Sequence, residues 1–189
     1  MGSAAEKVAA VIMVKIPNLA QIFLIGFYEE REFALYVSAT SNELKVLVRL
    51  GRSMKTNHTA LAGGLYNFRD LIMEGSPSHI FLLKCDVCCS FPLPEMLEAR
   101  KQYGGIGTLL VIEVCAESAS QFGELVADPV TNELLHYNEK PETFVSDRIN
   151  CGEYVFAPDI FAAIQNVSTQ RKDRCVSSFE ALQHVTSWL

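Results

Sequence analysis

The strongest constraint on this chain is the alternation of two hydrophobic patterns. Short apolar runs rich in β-branched residues recur at 8–14, 21–27, 45–50, 80–85, 108–114 and 149–156. Between them lie segments with helical spacing: 30–37, then Leu65, Phe68, Leu71 and Ile72, then 94–103 and 158–167. A strand that is apolar without strict alternation is covered on both faces, as in a parallel sheet. The alternation therefore predicts an α/β fold of Rossmann-like kind, a mostly parallel sheet with helices on both faces. Pro94 and Pro158 suit the first turns of their helices, where a missing N–H is no loss. Two places break the pattern. Residues 121–126 and 133–139 flank the turn-prone Asp128-Pro129-Val130-Thr131-Asn132, which predicts an added antiparallel hairpin. Only six residues, 15–20, separate the first two runs, and a crossover between parallel neighbours needs a dozen or more. Those runs either pair as a hairpin or have lost the segment between them.

Composition narrows the function classes. With 189 residues, 49% of them apolar, the chain can bury a core without metal or disulfide staples, and wholesale disorder is excluded. A formal charge of -6, with no dense Lys/Arg block, argues against a nucleic-acid partner. The apolar runs fall far short of the roughly 20 residues of a membrane-spanning helix, and no membrane association is expected. The first fifteen residues lack the pattern of a secretory leader. The expected location is cytoplasmic, and the six cysteines (Cys85, Cys88, Cys89, Cys115, Cys151, Cys175) are expected to be reduced thiols. The polar, Ser/Arg-rich stretch 168–178 marks the one boundary, dividing a domain at 1–167 from a divergent tail at 168–189. The apolar segment 179–189 has no evident place in the sheet.

A few residues invite chemistry. Cys85-Asp86-Val87-Cys88 holds a CxxC without the second ligand pair that zinc needs. Asp86 follows the run 80–85, and ligand sites in α/β sheets gather at the carboxyl ends of strands. Taken alone it is either a loop cap, the commoner case, or a ligand for a hard cation such as Mg²⁺. Gly63 and Gly64 precede an amphipathic stretch, as a plain turn or as bare backbone that a ligand approaches at a helix N-terminus. Glu139 and Lys140 make either a surface ion pair or a hydroxyl acceptor beside a phosphate-binding cation. Asn150-Cys151-Gly152 places a glycine inside a strand, which implies close approach by a ligand or by other backbone. His58, His79, His136 and His184 show no spacing typical of a metal site or a nucleophile triad, and no catalytic side chain stands out.

In their order and spacing several segments resemble the nucleotidyltransferase domain of the sugar-nucleotide pyrophosphorylases, most closely the alpha-type mannose-1-phosphate guanylyltransferases of plants. They are Ile22-Phe23-Leu24-Ile25-Gly26-Phe27-Tyr28, Ala62-Gly63-Gly64-Leu65-Tyr66, Phe81-Leu82-Leu83-Lys84-Cys85-Asp86-Val87-Cys88, Phe122-Gly123-Glu124-Leu125, Glu139-Lys140-Pro141 with the residues to Asp147, and Ile149-Asn150-Cys151-Gly152. The resemblance implies a nucleotide-diphospho-sugar transferase fold, with Asp86 as the Mg²⁺ ligand and Gly63 and Gly64 against the base. It implies that Gly123, Glu139, Lys140, Asn150 and Gly152 form the sugar-phosphate pocket. The implied ligands are GTP or GDP-mannose and mannose 1-phosphate, and the implied reaction is nucleotidyl transfer to the sugar phosphate with loss of pyrophosphate. A homologous catalytic guanylyltransferase subunit is the implied protein partner.

The chain also departs from that family. Val11-Ile12-Met13-Val14 runs directly into Lys15-Ile16-Pro17, where the family has a Gly-rich loop that wraps the triphosphate. Lys84 stands where relatives carry Asn, and Glu153 takes a strand position that is usually apolar or small. The family's second metal-binding aspartate and its C-terminal β-helix have no counterpart, so the fold is expected to be incomplete. Two functions are therefore expected in competition: an impaired guanylyltransferase of GDP-mannose synthesis, or a non-catalytic regulatory or nucleotide-sugar-binding partner of a catalytic subunit.

Overall fold

The computed structural model describes residues 19–26, 30–52, 65–84, 90–170 and 185–188. The chain divides into two compact units, one of residues 1–77 and 83–90, the other of 78–82 and 91–189.

In the first unit, strand β1 (Gln21–Gly26) pairs in parallel with β2 (Leu47–Arg52), Ile22 opposite Val48 and Leu24 opposite Leu50. Helix α1 (Glu30–Leu44) makes the connection, running about two turns beyond the sequence expectation, through the polar stretch 38–43. Gly51 has a packing reason: a Cβ there would lie 2.7 Å from Cε1 of the Phe68 ring. The short helix α2 (Arg69–Met73) buries Ile72 and carries an ion pair between Glu74 and Arg49 of β2 at 2.6 Å. Whether the run at 8–14 pairs with β1 lies outside the described residues.

The second unit holds a six-stranded sheet. Its path runs β6 (Leu134–Glu139), β5 (Gly123–Ala127), β7 (Arg148–Phe156), β4 (Gly107–Glu113) and β8 (Val185–Trp188), and β3 (Ile80–Leu83) also pairs with β7. Helix α3 (Leu93–Tyr103) buries Leu93, Met96 and Ala99, an i, i+3, i+6 stripe that packs one side of the helix into the core. Helices α4 (Ala116–Ala119) and α5 (Ile160–Gln170) complete the unit. Ile160, Phe161 and Ile164 of α5 are buried.

The α/β class is as expected, but the strand directions are mixed. β7 runs antiparallel to both β4 and β5, and β4 is parallel to β8. The continuous apolar runs of β4 and β7 mark burial on both faces, and burial is indifferent to strand direction. The segment left without a place at 179–189 supplies β8, which lies along β4 with Gly107 opposite Val185. The hairpin forms as expected, β5 antiparallel to β6. Its turn is closed by Asp128, whose Oδ1 accepts the N–H groups of Val130 and Thr131 at 2.8 and 2.7 Å. Those two donors hold the Asp128 carboxyl below its usual range. Asn132 takes a left-handed φ of 57°, a conformation that Asn tolerates better than most residues.

Between Leu109 opposite Tyr154 and Val111 opposite Asn150, β4 advances two residues while β7 advances four. The surplus makes a bulge in β7, and Gly152 within it has φ 87°, a region that side-chain-bearing residues rarely enter. Glu153 lies in the same bulge and is fully buried. Burying a polar group in a strand core opposes folding by about 1–3 kcal/mol in mutational data. Glu153→Val should therefore raise the midpoint of thermal unfolding. A fall would show that the carboxyl group's contacts outweigh its burial.

Candidate functional site

Four residues expected to form a sugar-phosphate pocket are gathered by strand pairing. Gly123 opens β5 directly opposite Glu139, the last residue of β6. On its other side β5 meets β7 through Glu124 opposite Ile149, so Gly123 and Asn150 stand one residue from that pair at the same end. Gly152 follows in the bulge. Its N–H donates to Asn150 Oδ1 at 2.9 Å, which fixes the amide so that Asn150 Nδ2 points at Tyr154 Oη, 2.8 Å away.

Two tyrosines, neither anticipated from the sequence, join these residues. Tyr137 lies two residues before Glu139 on the same face of β6, and its hydroxyl donates to Glu139 Oε2. Asn150 also hydrogen-bonds the Tyr137 hydroxyl. Burial raises the Tyr137 phenol well above its ordinary range, and the Glu139 carboxylate raises it further. Tyr137 is therefore a neutral donor. Burial pushes Tyr154 up to about 12, opposed by the hydrogen bond from Asn150 and assisted by the negative charge of Glu139. The Tyr154 ring stacks on Phe156, centroids 5.5 Å apart, which ties the polar cluster to the apolar core. The available signal was the i, i+2 spacing of Tyr137 and Glu139 on one strand face.

Lys140 is exposed and has a left-handed φ of 48° immediately before Pro141. For a residue with a side chain such a conformation costs on the order of 1–3 kcal/mol. It is held by the Lys140 N–H donating to the Phe122 carbonyl at 3.0 Å and by buried Pro141. The segment that follows is fastened by Glu124. This fully buried side chain accepts the N–H groups of Val145 and Ser146 at Oε2, at 2.5 and 2.8 Å. Among the described residues its other oxygen has no hydrogen-bond partner. Glu139, whose carboxylate is held by Tyr137, and the exposed Lys140 are neighbours in sequence, an acceptor and a cation of the kinds that bind a hydroxyl and a phosphate.

The other expected site residues, Gly63, Gly64 and Asp86, lie outside the described residues, as do Cys85, Cys88, Cys89 and Cys175. Neither Cys115 nor Cys151 is in a disulfide. Hydrogen bonding by Ser118 lowers the exposed Cys115 thiol. Among the described residues no group of three or more His, Cys, Asp and Glu is placed to hold a metal, and no helix is long and apolar enough to cross a membrane.

A Nucleotidyl transferase family model matches residues 7–185, past the boundary expected at 167, and the chain belongs to that family. Among its relatives is the mannose-1-phosphate guanylyltransferase regulatory subunit alpha of Dictyostelium discoideum, 49% identical over 150 residues, 79% of this chain and 36% of the relative. The probable mannose-1-phosphate guanyltransferase of Schizosaccharomyces pombe is 36% identical over 168 residues, 89% of this chain and 41% of the relative. The chain thus spans well under half the length of these curated relatives. A putative glucose-1-phosphate thymidylyltransferase from Bacillus anthracis shares the fold with a TM-score of 0.71 at 14% identity, over 90% of this chain and 68% of that one. An apo UDP-glucose pyrophosphorylase does so with 0.67 at 17%, over 89% and 72%.

Removing the Glu124 carboxylate leaves two inward-facing amides without their acceptor. Glu124→Ala should lower stability by about 2–3 kcal/mol, and it should speed hydrogen exchange at the Val145 and Ser146 amides more than at the strand amides of β4. Equal changes at both places would mean that Glu124 does not anchor this segment in particular.

Proposed function

We propose that this chain is a cytoplasmic, guanylyltransferase-like protein of GDP-mannose synthesis that binds the nucleotide sugar while its own transfer activity is impaired. The observation that carries the reading is the cluster of Glu139, Asn150, Gly123 and Gly152, whose polar groups are pre-set by hydrogen bonds within a chain of this family. Glu139 and Asn150 supply hydrogen-bonding groups for sugar hydroxyls, and Lys140 supplies a charge for the sugar-linked phosphate. In this reading Gly63 and Gly64 receive the base, and Asp86 would hold a divalent cation, Mg²⁺, that offsets phosphate charge.

Transfer from GTP to mannose 1-phosphate needs the leaving pyrophosphate to be neutralised as charge gathers on it. Between Val14 and Lys15 the sequence has no Gly-rich loop to do so. Loss of even one such donor group costs on the order of 10²–10³ in rate. A second reading, regulation of a catalytic guanylyltransferase subunit, is favoured by the relatives named regulatory subunit alpha, and it uses the same pocket as a sensor.

The purified full chain, given GTP, mannose 1-phosphate and Mg²⁺, should release pyrophosphate at least about 10²-fold more slowly than a catalytic guanylyltransferase. It should nonetheless bind GDP-mannose in calorimetry, and Lys140→Ala should weaken that binding about tenfold. Robust pyrophosphate release that Asp86→Ala abolishes would refute the impairment. Absence of GDP-mannose binding would refute the pocket.

A further inference from the structure

We infer that Tyr137 is a specificity-determining positioning residue for the sugar half of a nucleotide-sugar ligand, and that position 123 is glycine to admit the Tyr137 ring. The inference rests on the pocket proposed above and adds a residue and a role to it.

The backbone makes the first part of the case. Leu125 is the cross-strand partner of Tyr137, and Gly123 is the partner of Glu139. All four therefore share one face of the hairpin. Gly123 leaves a gap on that face, and the Tyr137 ring lies across it. A Cβ at position 123 would stand 2.5 Å from Tyr137 Cζ and 2.7 Å from Cε2, and closer still to the hydroxyl oxygen. An aromatic ring laid over a strand glycine is a known way to pin a sheet position. Here it also delivers the phenol oxygen to Glu139 and Asn150.

Chemistry makes the second part. Glu139 is exposed at the end of an edge strand, where a free carboxylate samples several rotamers and binds hydroxyls without preference for orientation. The Tyr137 hydroxyl occupies Oε2. That selects one rotamer and leaves Oε1, to which no described residue donates, as the acceptor for a ligand hydroxyl. The same hydroxyl accepts from Asn150, whose Oδ1 is already committed to the Gly152 N–H. The acceptor on β6 and the amide on β7 are thereby held in one fixed relation, which is what discrimination between sugar epimers requires. The ligand class is a nucleoside diphosphate sugar whose pyranose offers a hydroxyl to Glu139.

The test compares binding of GDP-mannose, GDP-glucose and GDP to the full chain. Tyr137→Phe keeps the ring over Gly123 and removes only the hydroxyl. It should weaken GDP-mannose about tenfold, as expected for losing a hydrogen bond to a charged group. It should also narrow the GDP-mannose to GDP-glucose ratio, and leave GDP, which carries no hexose on its diphosphate, unaltered. A merely structural role for Tyr137 would move all three ligands together, and that result overturns the inference, as does unchanged binding of all three. Failure of the unmodified chain to bind GDP-mannose overturns the pocket and the inference with it. Loss of GDP-mannose binding in Glu139→Gln with none in Tyr137→Phe overturns the inference alone. Melting temperatures give a ligand-free check on the glycine. Gly123→Ala should destabilise the chain, and adding Tyr137→Ala should recover part of the loss. If the double variant is the sum of the two singles, the ring is not what position 123 accommodates.

Discussion

The second unit depends on the position of β7. Its pairing partners are β3, β4 and β5, so any shift in its register passes to all three. Sheet registers are normally rigid, since a slip of one residue turns every side chain to the opposite face. β7 accommodates two surplus residues against β4 at a single place, and that place holds Gly152 with its positive φ. The strand keeps its apolar residues inward on both sides of the bulge, with Ile149 and Val155 both buried. Between them it turns Asn150 and Tyr154 toward each other. The polar cluster is thus a product of how the core strand resolves its own register.

Asn150 is the hinge of that cluster. Its amide is oriented by the Gly152 N–H on one side and reaches the phenol oxygens of Tyr154 and Tyr137 on the other. Amide orientation is normally soft, and an acceptor tied to backbone makes it stiff. The hairpin brings the remaining parts. β5 and β6 set Gly123 against Glu139, and the turn at Asp128 fixes their register from the far end. Glu124, one residue along from Gly123, faces the core and fastens the segment after Pro141. Consecutive residues of one strand therefore serve the two faces of the sheet, one accommodating the tyrosine and one anchoring a loop.

The family relationship and the site chemistry bear on each other through what the chain retains. Glu139 and Asn150 are held by hydrogen bonds that need no ligand to form, which suits the binding role proposed for them. In the proposed function, the sequence at Val14 and Lys15 lacks a loop to grip a triphosphate, which transfer would need and product binding would not. On that proposal the chain keeps recognition while losing turnover.

From the sequence alone the α/β class, the hairpin about Asp128 and most strand and helix positions were legible. Each is signalled by local spacing or by turn chemistry. Strand direction was not, because the apolar run of a buried strand is the same whichever way its neighbour points. The place of 185–188 beside β4 was hidden for a related reason: four residues carry too little pattern to name a partner. Gly152 was legible as a constraint but not as a bulge, since a register shift exists only between two paired strands. The roles of Tyr137 and Tyr154 were decided by the tertiary structure alone. Each of those phenols gains its meaning from a residue on another strand or across the bulge, and such proximity is created by pairing distant segments rather than by their order along the chain.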